Sequence, residues 1–468
     1  MNLRPSKLVL LAAAVFAGTL GAQNQPPSIR GVVPSSGSGP FLSLTAQYAD
    51  PNGFNDLQTL EILLNTTSGS FANACYLTFD TGTNLLSLWN DAGTGAVGSV
   101  SGGAATVENS QCRVSLSSFS KYELTKFDLT VSITFKSFLG LKNIYLRAQD
   151  LEAASSGWQQ PGTWTVTANL PPSVTSLAPY VGSGATQTFT VTFSDPDGYA
   201  DLSSVQVLIN NFLDGISACY LAYSIPADTL YLVADNGDAG HPTGMLLRNG
   251  SGGALSNSQC TVTWLGSSAV FDTNQLTLTL AVTFSSSTFH GNKVVYTATQ
   301  DNAGNNTGWI TMGVYHVTGG ATTYPTPIAV APNYGTTSTA LITFTFDDAT
   351  DYQNLSSVQA LINTAVDGRN ACYVAYNRIY GMLFLVPDNG DAGHPIGMPL
   401  TGSGTLSNSQ CTISGAGSSV SGSGQRLTLT LNITFSPAFA GHRAIWPATQ
   451  TFSNANSDWQ AMAAWVMP

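Results

Sequence analysis

The chain contains three copies of one sequence unit, and this repetition limits its possible folds more than any other feature. "SDPDGYADLSSVQVLIN" at 194–210 matches "ADPNGFNDLQTLEILLN" at 49–65 and, more loosely, "DDATDYQNLSSVQALIN" at 347–363. Regular self-similarity of this kind indicates duplication of a single structural unit. The 468 residues accommodate three domains of about 150 residues each. We therefore expect three repeats of one fold, which span residues 23–170, 171–322 and 323–468.

The six cysteines fall at the same two places in every repeat, within "ACY" and at the end of "NSQC". This placement favours one disulfide bond inside each repeat, although other connectivities are formally possible. A zinc site is disfavoured because no CxxC pair or neighbouring group of histidines is present. The expected pairs are Cys75–Cys112, Cys219–Cys260 and Cys372–Cys411.

The local pattern of every repeat is that of β-strands. "QLTLTLAVTF" at 275–284 alternates polar and apolar residues, which is the period of a half-buried strand. Similar segments are bounded by Gly, Pro, Asn and Asp. The sequence therefore predicts an all-β protein of three tandem immunoglobulin-like antiparallel β-sandwiches, each with one intradomain disulfide.

Short proline-containing junctions such as "TANLPPSV" at 167–174 predict that the domains form a stiff rod.

The order of these motifs resembles the immunoglobulin-like or fibronectin-like repeats of bacterial secreted proteins. More closely, it is similar to a tandem repeat of exported proteins from soil bacteria, over about residues 26–468, with the "ACY…NSQC" frame and the "QD.AGN..GW" ending as its most specific parts. The resemblance implies a β-sandwich in an extracellular setting and supplies no catalytic residues. The third repeat departs from the pattern at Ala349 and Thr451, so the resemblance does not extend an acidic site to that repeat.

The first 22 residues have the features of a secretory signal peptide. Arg4 and Lys7 supply the positive start, and an apolar segment runs from Leu8 to Leu20. Small residues near Ala22 suit cleavage after that residue. The apolar segment is shorter than the helix needed to span a membrane, so we expect a secreted protein.

The balance of charge narrows the classes of partner. The formal net charge is −11, and only 9% of the residues are charged. Nucleic acids and anionic membranes require basic patches, which argues against both as partners. An acidic chain is compatible with cation binding, so the acidic turns are the first candidates for a site.

Two acidic turns contain oxygen ligands at alternating positions around a glycine. They read "DPNGFND" at 50–56 and "DPDGYAD" at 195–201. Calcium prefers such carboxylate and amide oxygens, whereas Pro-Asn-Gly and Pro-Asp-Gly also form β-turns for backbone reasons alone. Calcium is the only cofactor that the sequence suggests, and the pattern does not require one. The candidate ligands are Asp50, Asn52, Asp56, Asp195, Asp197 and Asp201.

A third acidic motif, "QDNAGN" at 300–305, closes the second repeat. Its Asp301 is a further calcium candidate if the chain brings it beside the "DPDG" turn, which sequence alone does not establish. The first repeat has a weaker relative that contains Asp150 and Glu152. A plain hairpin turn is the alternative interpretation of both segments.

The stretch "DNGDAGHP" occurs at 235–242 and again at 388–395. Two aspartates and a histidine in eight residues suggest a site, but the first repeat lacks the histidine, and Asn-Gly is a hairpin signal. We therefore expect turns. The second-rank calcium candidates are Asp235, Asp238, Asp388 and Asp391.

Trp158, Trp309 and Trp459 recur at one position before the last strand of each repeat. Packing at the edge of a sandwich is the simpler explanation, and a platform that stacks on sugars is the alternative. These three residues are the candidate ligand-binding residues of a carbohydrate-binding protein.

The sequence contains no GxSxG, HExxH or P-loop motif, and its carboxylates are copied with the repeats. These features predict a non-enzymatic protein that acts as a structural, adhesive or protein-interaction rod at the cell exterior. Its partner would be an extracellular protein or glycan. A carbohydrate-binding array is the alternative function, and a secreted hydrolase is a distant third.

Overall fold

The computed structural model describes residues 23–103, 105–136, 138–248, 250 and 252–468. The predicted signal peptide at 1–22 lies outside these residues. The described chain is all-β, with 57% strand and no α-helix, which confirms the predicted fold class. It contains no helix with the length and apolar character needed to cross a membrane.

The first repeat is built from eleven strands. They are β1 (Ser28–Val33), β2 (Phe41–Ala49), β3 (Leu57–Asn65), β4 (Cys75–Asp80), β5 (Leu85–Trp89), β6 (Ala96–Val100), β7 (Val107–Glu108), β8 (Cys112–Tyr122), β9 (Lys126–Phe135), β10 (Gly140–Asp150) and β11 (Gln159–Val166). A five-stranded sheet of order β1-β2-β9-β8-β7 packs against a six-stranded sheet of order β11-β10-β3-β4-β5-β6. The result is an antiparallel sandwich.

The second and third repeats follow the same plan with twelve strands each. The second contains β12 (Ser173–Ala178), β13 (Val181–Ser183), β14 (Thr186–Ser194), β15 (Leu202–Asn210), β16 (Cys219–Ser224), β17 (Thr229–Leu232), β18 (Thr243–Leu246), β19 (Ala254–Ser256), β20 (Cys260–Asp272), β21 (Gln275–Phe284), β22 (Gly291–Asp301) and β23 (Ile310–Val317). The third contains β24 (Thr326–Ala331), β25 (Tyr334–Gly335), β26 (Thr339–Asp347), β27 (Leu355–Asn363), β28 (Cys372–Asn377), β29 (Met382–Leu385), β30 (Ile396–Pro399), β31 (Thr405–Ser407), β32 (Cys411–Ser423), β33 (Arg426–Phe435), β34 (Gly441–Thr451) and β35 (Ala463–Met467). Three short 3-10 turns lie at Tyr199–Asp201, Tyr352–Asn354 and Pro437–Phe439.

Each of these two repeats pairs a five-stranded sheet with a seven-stranded sheet. The orders are β12-β14-β21-β20-β19 and β13-β23-β22-β15-β16-β17-β18 in the second repeat, and β24-β26-β33-β32-β31 and β25-β35-β34-β27-β28-β29-β30 in the third. The strands pair antiparallel except at one edge, where β13 runs parallel to β23 and β25 runs parallel to β35. The predicted antiparallel sandwich therefore holds, with one short parallel strand added in each of these two repeats.

Alternating burial explains why each sandwich forms. In β21, the apolar side chains at every second position are buried, and the threonines between them are at least partly exposed. Buried residues from both sheets of a repeat meet in one apolar cluster, as Phe193 of β14 and Val207 of β15 do. Each such large side chain contributes about 1.5–3 kcal/mol when it is buried. The period-2 pattern thus produces a two-layer core in every repeat.

All three predicted disulfides are present, and they join the two sheets of each repeat. Cys75 is the first residue of β4 in one sheet, and Cys112 is the first residue of β8 in the other. Cys219–Cys260 and Cys372–Cys411 occupy the equivalent places. Each disulfide therefore closes a segment of four short strands, which are β4 to β7, β16 to β19 and β28 to β31 in the three repeats.

The asparagine of "NSQC" has a structural role that its sequence context did not suggest. The Asn257 side-chain amide donates to the carbonyl oxygens of Ala218 and Val233. Its oxygen accepts from the backbone N–H groups of Gln259 and Cys260. Asn109 and Asn408 make equivalent contacts. These hydrogen bonds satisfy buried backbone groups beside each disulfide.

The described chain divides into two compact units, of which the first ends at Ala168 and the second begins at Asn169. The second unit contains the second and third repeats, whose seven-stranded sheets share an apolar cluster that includes Tyr296 and Trp446. The Thr311 hydroxyl donates across this contact to the Thr364 carbonyl oxygen at 2.6 Å. The second and third repeats are therefore held together by apolar side chains on the outer faces of their sheets as well as by the short junction between them.

Substitution of Trp446, which is 0% exposed, tests whether this cluster holds the second and third repeats together. Trp446→Ala should cost about 3–5 kcal/mol because it leaves a large cavity. Hydrogen exchange of the full chain should then show lower protection in both β22 and β34. Leu265→Ala, at a side chain that is 81% exposed, is the control and should change stability by less than about 0.5 kcal/mol. Equal protection in wild type and Trp446→Ala would contradict a shared cluster.

Candidate metal centres in the first two repeats

Separate segments of the second repeat meet at one end of its sandwich. Asp195 directly follows β14, Asp201 ends the 3-10 turn before β15, and Asp301 is the last residue of β22. Strand β15 pairs with β22, and the Asn302 N–H donates to the Asp201 carbonyl oxygen at 2.8 Å. Ordinary sheet pairing therefore gathers aspartates that lie far apart in sequence.

The carboxylates of this cluster are close together, and several of their oxygens have no donor. One carboxylate oxygen from each of Asp195, Asp197 and Asp201 lies within 4.8 Å of the other two, and Asp195 and Asp201 are 0% and 1% exposed. Neither oxygen of Asp201 has a donor in full hydrogen-bond geometry, and nor does Oδ2 of Asp195, although the Asn302 amide lies close enough to Asp201 to oppose the rise in its pKa. The Asn302 side chain donates instead to the Ala200 carbonyl oxygen at 3.0 Å. Because an unpaired buried charge is strongly destabilising, this arrangement requires a compensating positive group or protons.

Burial and mutual repulsion raise the pKa values of two of these groups. Burial, with the nearby charges of Asp197 and Asp301, raises the pKa of Asp195 to about 6. Burial, with the charges of Asp195 and Asp301, raises the pKa of Asp201 to about 7. Within the described part of the chain, no Lys, Arg or His forms an ion pair with this cluster. A bound cation would supply the missing positive charge.

The first repeat contains the same cluster with one carboxylate fewer. One oxygen from each of Asp50, Asp56 and Asp150 lies within 4.8 Å of the other two, and Asp50 and Asp150 are both 0% exposed. Oδ2 of Asp50 accepts no hydrogen bond. Burial, together with the charges of Asp56 and Asp150, raises the pKa of Asp50. Asn52 stands where the second repeat has Asp197.

The third repeat keeps the turn but satisfies its aspartate with hydrogen bonds. Asn354 occupies the position of Asp201, and its Nδ2 donates to Asp348 Oδ1 at 3.0 Å. The backbone N–H and the hydroxyl of Thr350 donate to the same oxygen. Burial alone would raise the pKa of Asp348, but these hydrogen bonds outweigh it, and the pKa lies below its usual value. The third repeat is therefore an internal comparison in which neutral donors replace the missing positive charge.

The ligand atoms gathered in the first two repeats are all oxygens. The described clusters are made of aspartates alone. A hard cation such as Ca²⁺ prefers this set, whereas Zn²⁺ favours nitrogen and sulfur ligands. A divalent cation would neutralise much of the negative charge that three or four ionised carboxylates gather around one point. The clusters therefore have the chemistry of calcium sites.

The structure brings motifs together that lie far apart in sequence. Asp150 lies beside the acidic turn at 50–56, and Asp301 lies beside the acidic turn at 195–201. Asn52 is exposed, and its Oδ1 accepts the Gln25 N–H at 2.8 Å. Sequence reasoning missed Asn169, whose Nδ2 donates to Asp301 Oδ2 at 2.8 Å. A sequence signal for this residue is an asparagine two residues before Pro-Pro, which occurs in "NQPP" at 24–27 and in "NLPP" at 169–172. The third repeat lacks this pattern.

The two "DNGDAGHP" stretches form turns rather than clusters of ligands. Asp235 accepts the Ser258 N–H at 3.1 Å, which ties the turn to the "NSQC" segment. His241 Nδ1 lies 3.0 Å from Asp238 Oδ2, and the His241 side chain is 89% exposed. The equivalent residues of the third repeat, Asp388, Asp391 and His394, make the same contacts. Exposed pairs of this kind contribute little to stability.

The three recurrent tryptophans are partly buried in apolar clusters. Trp309 and Trp459 belong to the cluster shared by the second and third repeats. Their ring centroids lie 5.6 and 5.5 Å from those of Tyr220 and Tyr373. Trp158 lies in the equivalent aromatic cluster of the first repeat. Packing accounts for these positions, and stacking on sugars stays a prediction.

Comparisons with known proteins do not identify a family. No family model matches the chain, and no curated protein matches it. Among solved structures, the crystal structure of dimeric latent PorU from Porphyromonas gingivalis is similar at 10% identity and a TM-score of 0.18, over 94% of this chain and 34% of that one. The chain thus spans about a third of the PorU chain. At this TM-score, the match supports no inference about the fold or the role of this chain.

The stability of the metal-free protein should fall as the pH rises from about 4 to 7. In this interval the folded chain keeps protons on Asp195 and Asp201, whose pKa values are about 6 and 7, while unfolded aspartates, with a pKa of about 3.9, have lost theirs. Asp201→Asn copies the third repeat and should stabilise the protein in EDTA at pH 7.5 by about 1–3 kcal/mol.

Thermal unfolding in EDTA at pH 5.5 and pH 7.5 measures this effect. The gain from Asp201→Asn should be larger at pH 7.5. Asp272→Asn, which removes an exposed charge from the same repeat, should show no such gain. If Asp201→Asn is no more stable than wild type at pH 7.5, the acids do not repel one another as described.

Proposed function

We propose that this chain is an exported, non-enzymatic tandem β-sandwich protein whose first two repeats each bind one calcium ion. The bound ions stabilise the sandwiches, and the array serves as a structural, adhesive or protein-interaction module outside the cell. Its partner on this proposal is an extracellular protein or glycan. The third repeat contributes to the array without a calcium ion.

One observation carries the proposal: Asp201 is buried, and neither of its carboxylate oxygens has a donor in full hydrogen-bond geometry. A folded protein tolerates such a group when a cation coordinates it or a proton neutralises it. At neutral pH, a calcium ion that bridges Asp195, Asp197 and Asp201 removes the penalty for all three at once. The loss of this acidic set in the third repeat, together with the gain of Asn354, supports the same interpretation.

Other features support the location and the absence of catalysis. One disulfide in every repeat suits an oxidising compartment, which agrees with the predicted signal peptide and cleavage after Ala22. The acidic residues are distributed over two repeats, as expected for structural ions. Hydrolysis of polysaccharides or peptides by the purified chain, abolished by one Asp or His substitution, would contradict the non-enzymatic part of the proposal.

Isothermal titration of the EDTA-stripped full chain with Ca²⁺ tests the central claim. We expect two sites, and each of Asp56→Asn and Asp201→Asn should remove one of them. Calcium at a hundredfold excess over its dissociation constant should stabilise the site-bearing repeats by about 2.7 kcal/mol.

Asp391→Asn is the matched control, because Asp391 is an exposed turn aspartate of the third repeat. It should leave both calcium sites in place. The absence of any heat or thermal shift with calcium in the wild-type chain would refute the proposal.

A further inference from the structure

The segment that leads into the second sandwich reaches its acidic cluster. Asn169 Nδ2 donates to Asp301 Oδ2 at 2.8 Å, and the Leu170 N–H donates to Asp197 Oδ2 at 2.7 Å. The Asn169 side-chain oxygen is buried and accepts no hydrogen bond. This segment therefore brings one more unpartnered oxygen to a site that already holds several.

The orientation of the Asn169 amide follows from electrostatics. The Asp301 carboxylate must face the NH₂ group, because the amide oxygen in that place would be repelled. This leaves Oδ1 as the free ligand atom of the side chain. Amide oxygens are ordinary ligands of Ca²⁺, so the free oxygen is chemically suited to complete the carboxylate set.

The first repeat has two hydrogen bonds at the equivalent positions. Asn24 Nδ2 donates to Asp150 Oδ2 at 2.9 Å, and the Gln25 N–H donates to Asn52 Oδ1 at 2.8 Å. In the third repeat, Thr322 stands at the position of Asn169, and Thr451 replaces the aspartate that such an amide would bind. Within the described chain, the entering asparagine and the unbalanced acidic cluster therefore occur together.

The entering segment contacts the acidic cluster through both of its hydrogen bonds described above. Leu170 is 48% exposed, so apolar burial contributes little, and the two hydrogen bonds both end on carboxylates of the cluster. When the cluster has no cation, repulsion among Asp195, Asp197 and Asp301 favours their separation, which strains these contacts. A cation that draws the carboxylates together also fixes the acceptors of Asn169 and Leu170.

We infer that Asn169 is a calcium ligand and that calcium binding fastens the segment Asn169–Leu170 onto the second sandwich, with Asn24–Gln25 fastened in the same way in the first. The inference rests on the calcium binding proposed above. It assigns the site a second role, which is to control how firmly the chain entering each sandwich is held.

Hydrogen exchange of the full wild-type chain, in Ca²⁺ and in EDTA, tests this coupling. The Leu170 amide should exchange at least about tenfold more slowly in Ca²⁺, because its hydrogen bond to Asp197 then persists. The Thr323 amide, at the equivalent place in the third repeat, should be indifferent to calcium and serves as the internal control.

Asn169→Ala adds a second readout, with Thr322→Ala as its matched control. Asn169→Ala should weaken calcium binding at one of the two sites by roughly tenfold, and Thr322→Ala should leave both sites unchanged. If Asn169→Ala fails to fold, the exchange difference in wild type still decides the question, and Asn24→Ala repeats the test in the first repeat.

The possible failures are distinguishable. Two calcium sites of normal affinity in Asn169→Ala, with equal Leu170 exchange in Ca²⁺ and EDTA, would overturn the inference while the proposed function stands. No calcium binding by the wild-type chain would overturn both.

Discussion

Buried carboxylates crowd together in the first two repeats, and within the described residues no positive side chain forms an ion pair with them. Sandwich folding itself creates this crowding, because the pairing of β15 with β22 brings Asp301 to the acidic turn that β14 and β15 enclose. Sheet formation releases more free energy than the crowding costs, but the cost persists until something neutralises the charge. A divalent cation and a proton are the two physical means available, and only the cation acts fully at neutral pH.

The three repeats show how duplicated units diverge while they keep one backbone plan. At the acidic turn, the third repeat replaces Asp201 by Asn354 and loses the demand for a cation. On the outer face of the larger sheet, the first repeat keeps an ion pair between Arg147 and the buried Glu61. The second has Gln206 at the place of Glu61, where it accepts a hydrogen bond from Tyr220 at 2.7 Å. A neutral group suits a face that packs in the cluster shared with the third repeat, since charges are costly to desolvate.

Sequence reasoning captured the fold because its signals are local. The period-2 pattern of "QLTLTLAVTF" determines which side chains face the core, and the duplicated cysteine frame pairs each Cys within its own repeat. The proximity of Asp301 to the "DPDG" turn depends on strand register over a long separation, which no local pattern encodes. The consecutive apolar residues of "VLIN" around Leu208 indicate burial on both faces, but they do not reveal that another repeat covers one of them. Asn169 was missed because a lone asparagine before prolines resembles a linker residue.

Anomalous X-ray scattering from crystals of the full chain grown with a calcium-like lanthanide would locate bound ions most directly. We expect one peak in the first repeat, at Asp50, Asp56 and Asp150, and one in the second, at Asp195 and Asp201, each about 2.3–2.6 Å from the carboxylate oxygens. We expect no peak beside Asp348, where Asn354 already donates. An anomalous map with no peak at Asp201, or with a peak of equal height at Asp348, would contradict the claim that unbalanced buried charge creates the sites.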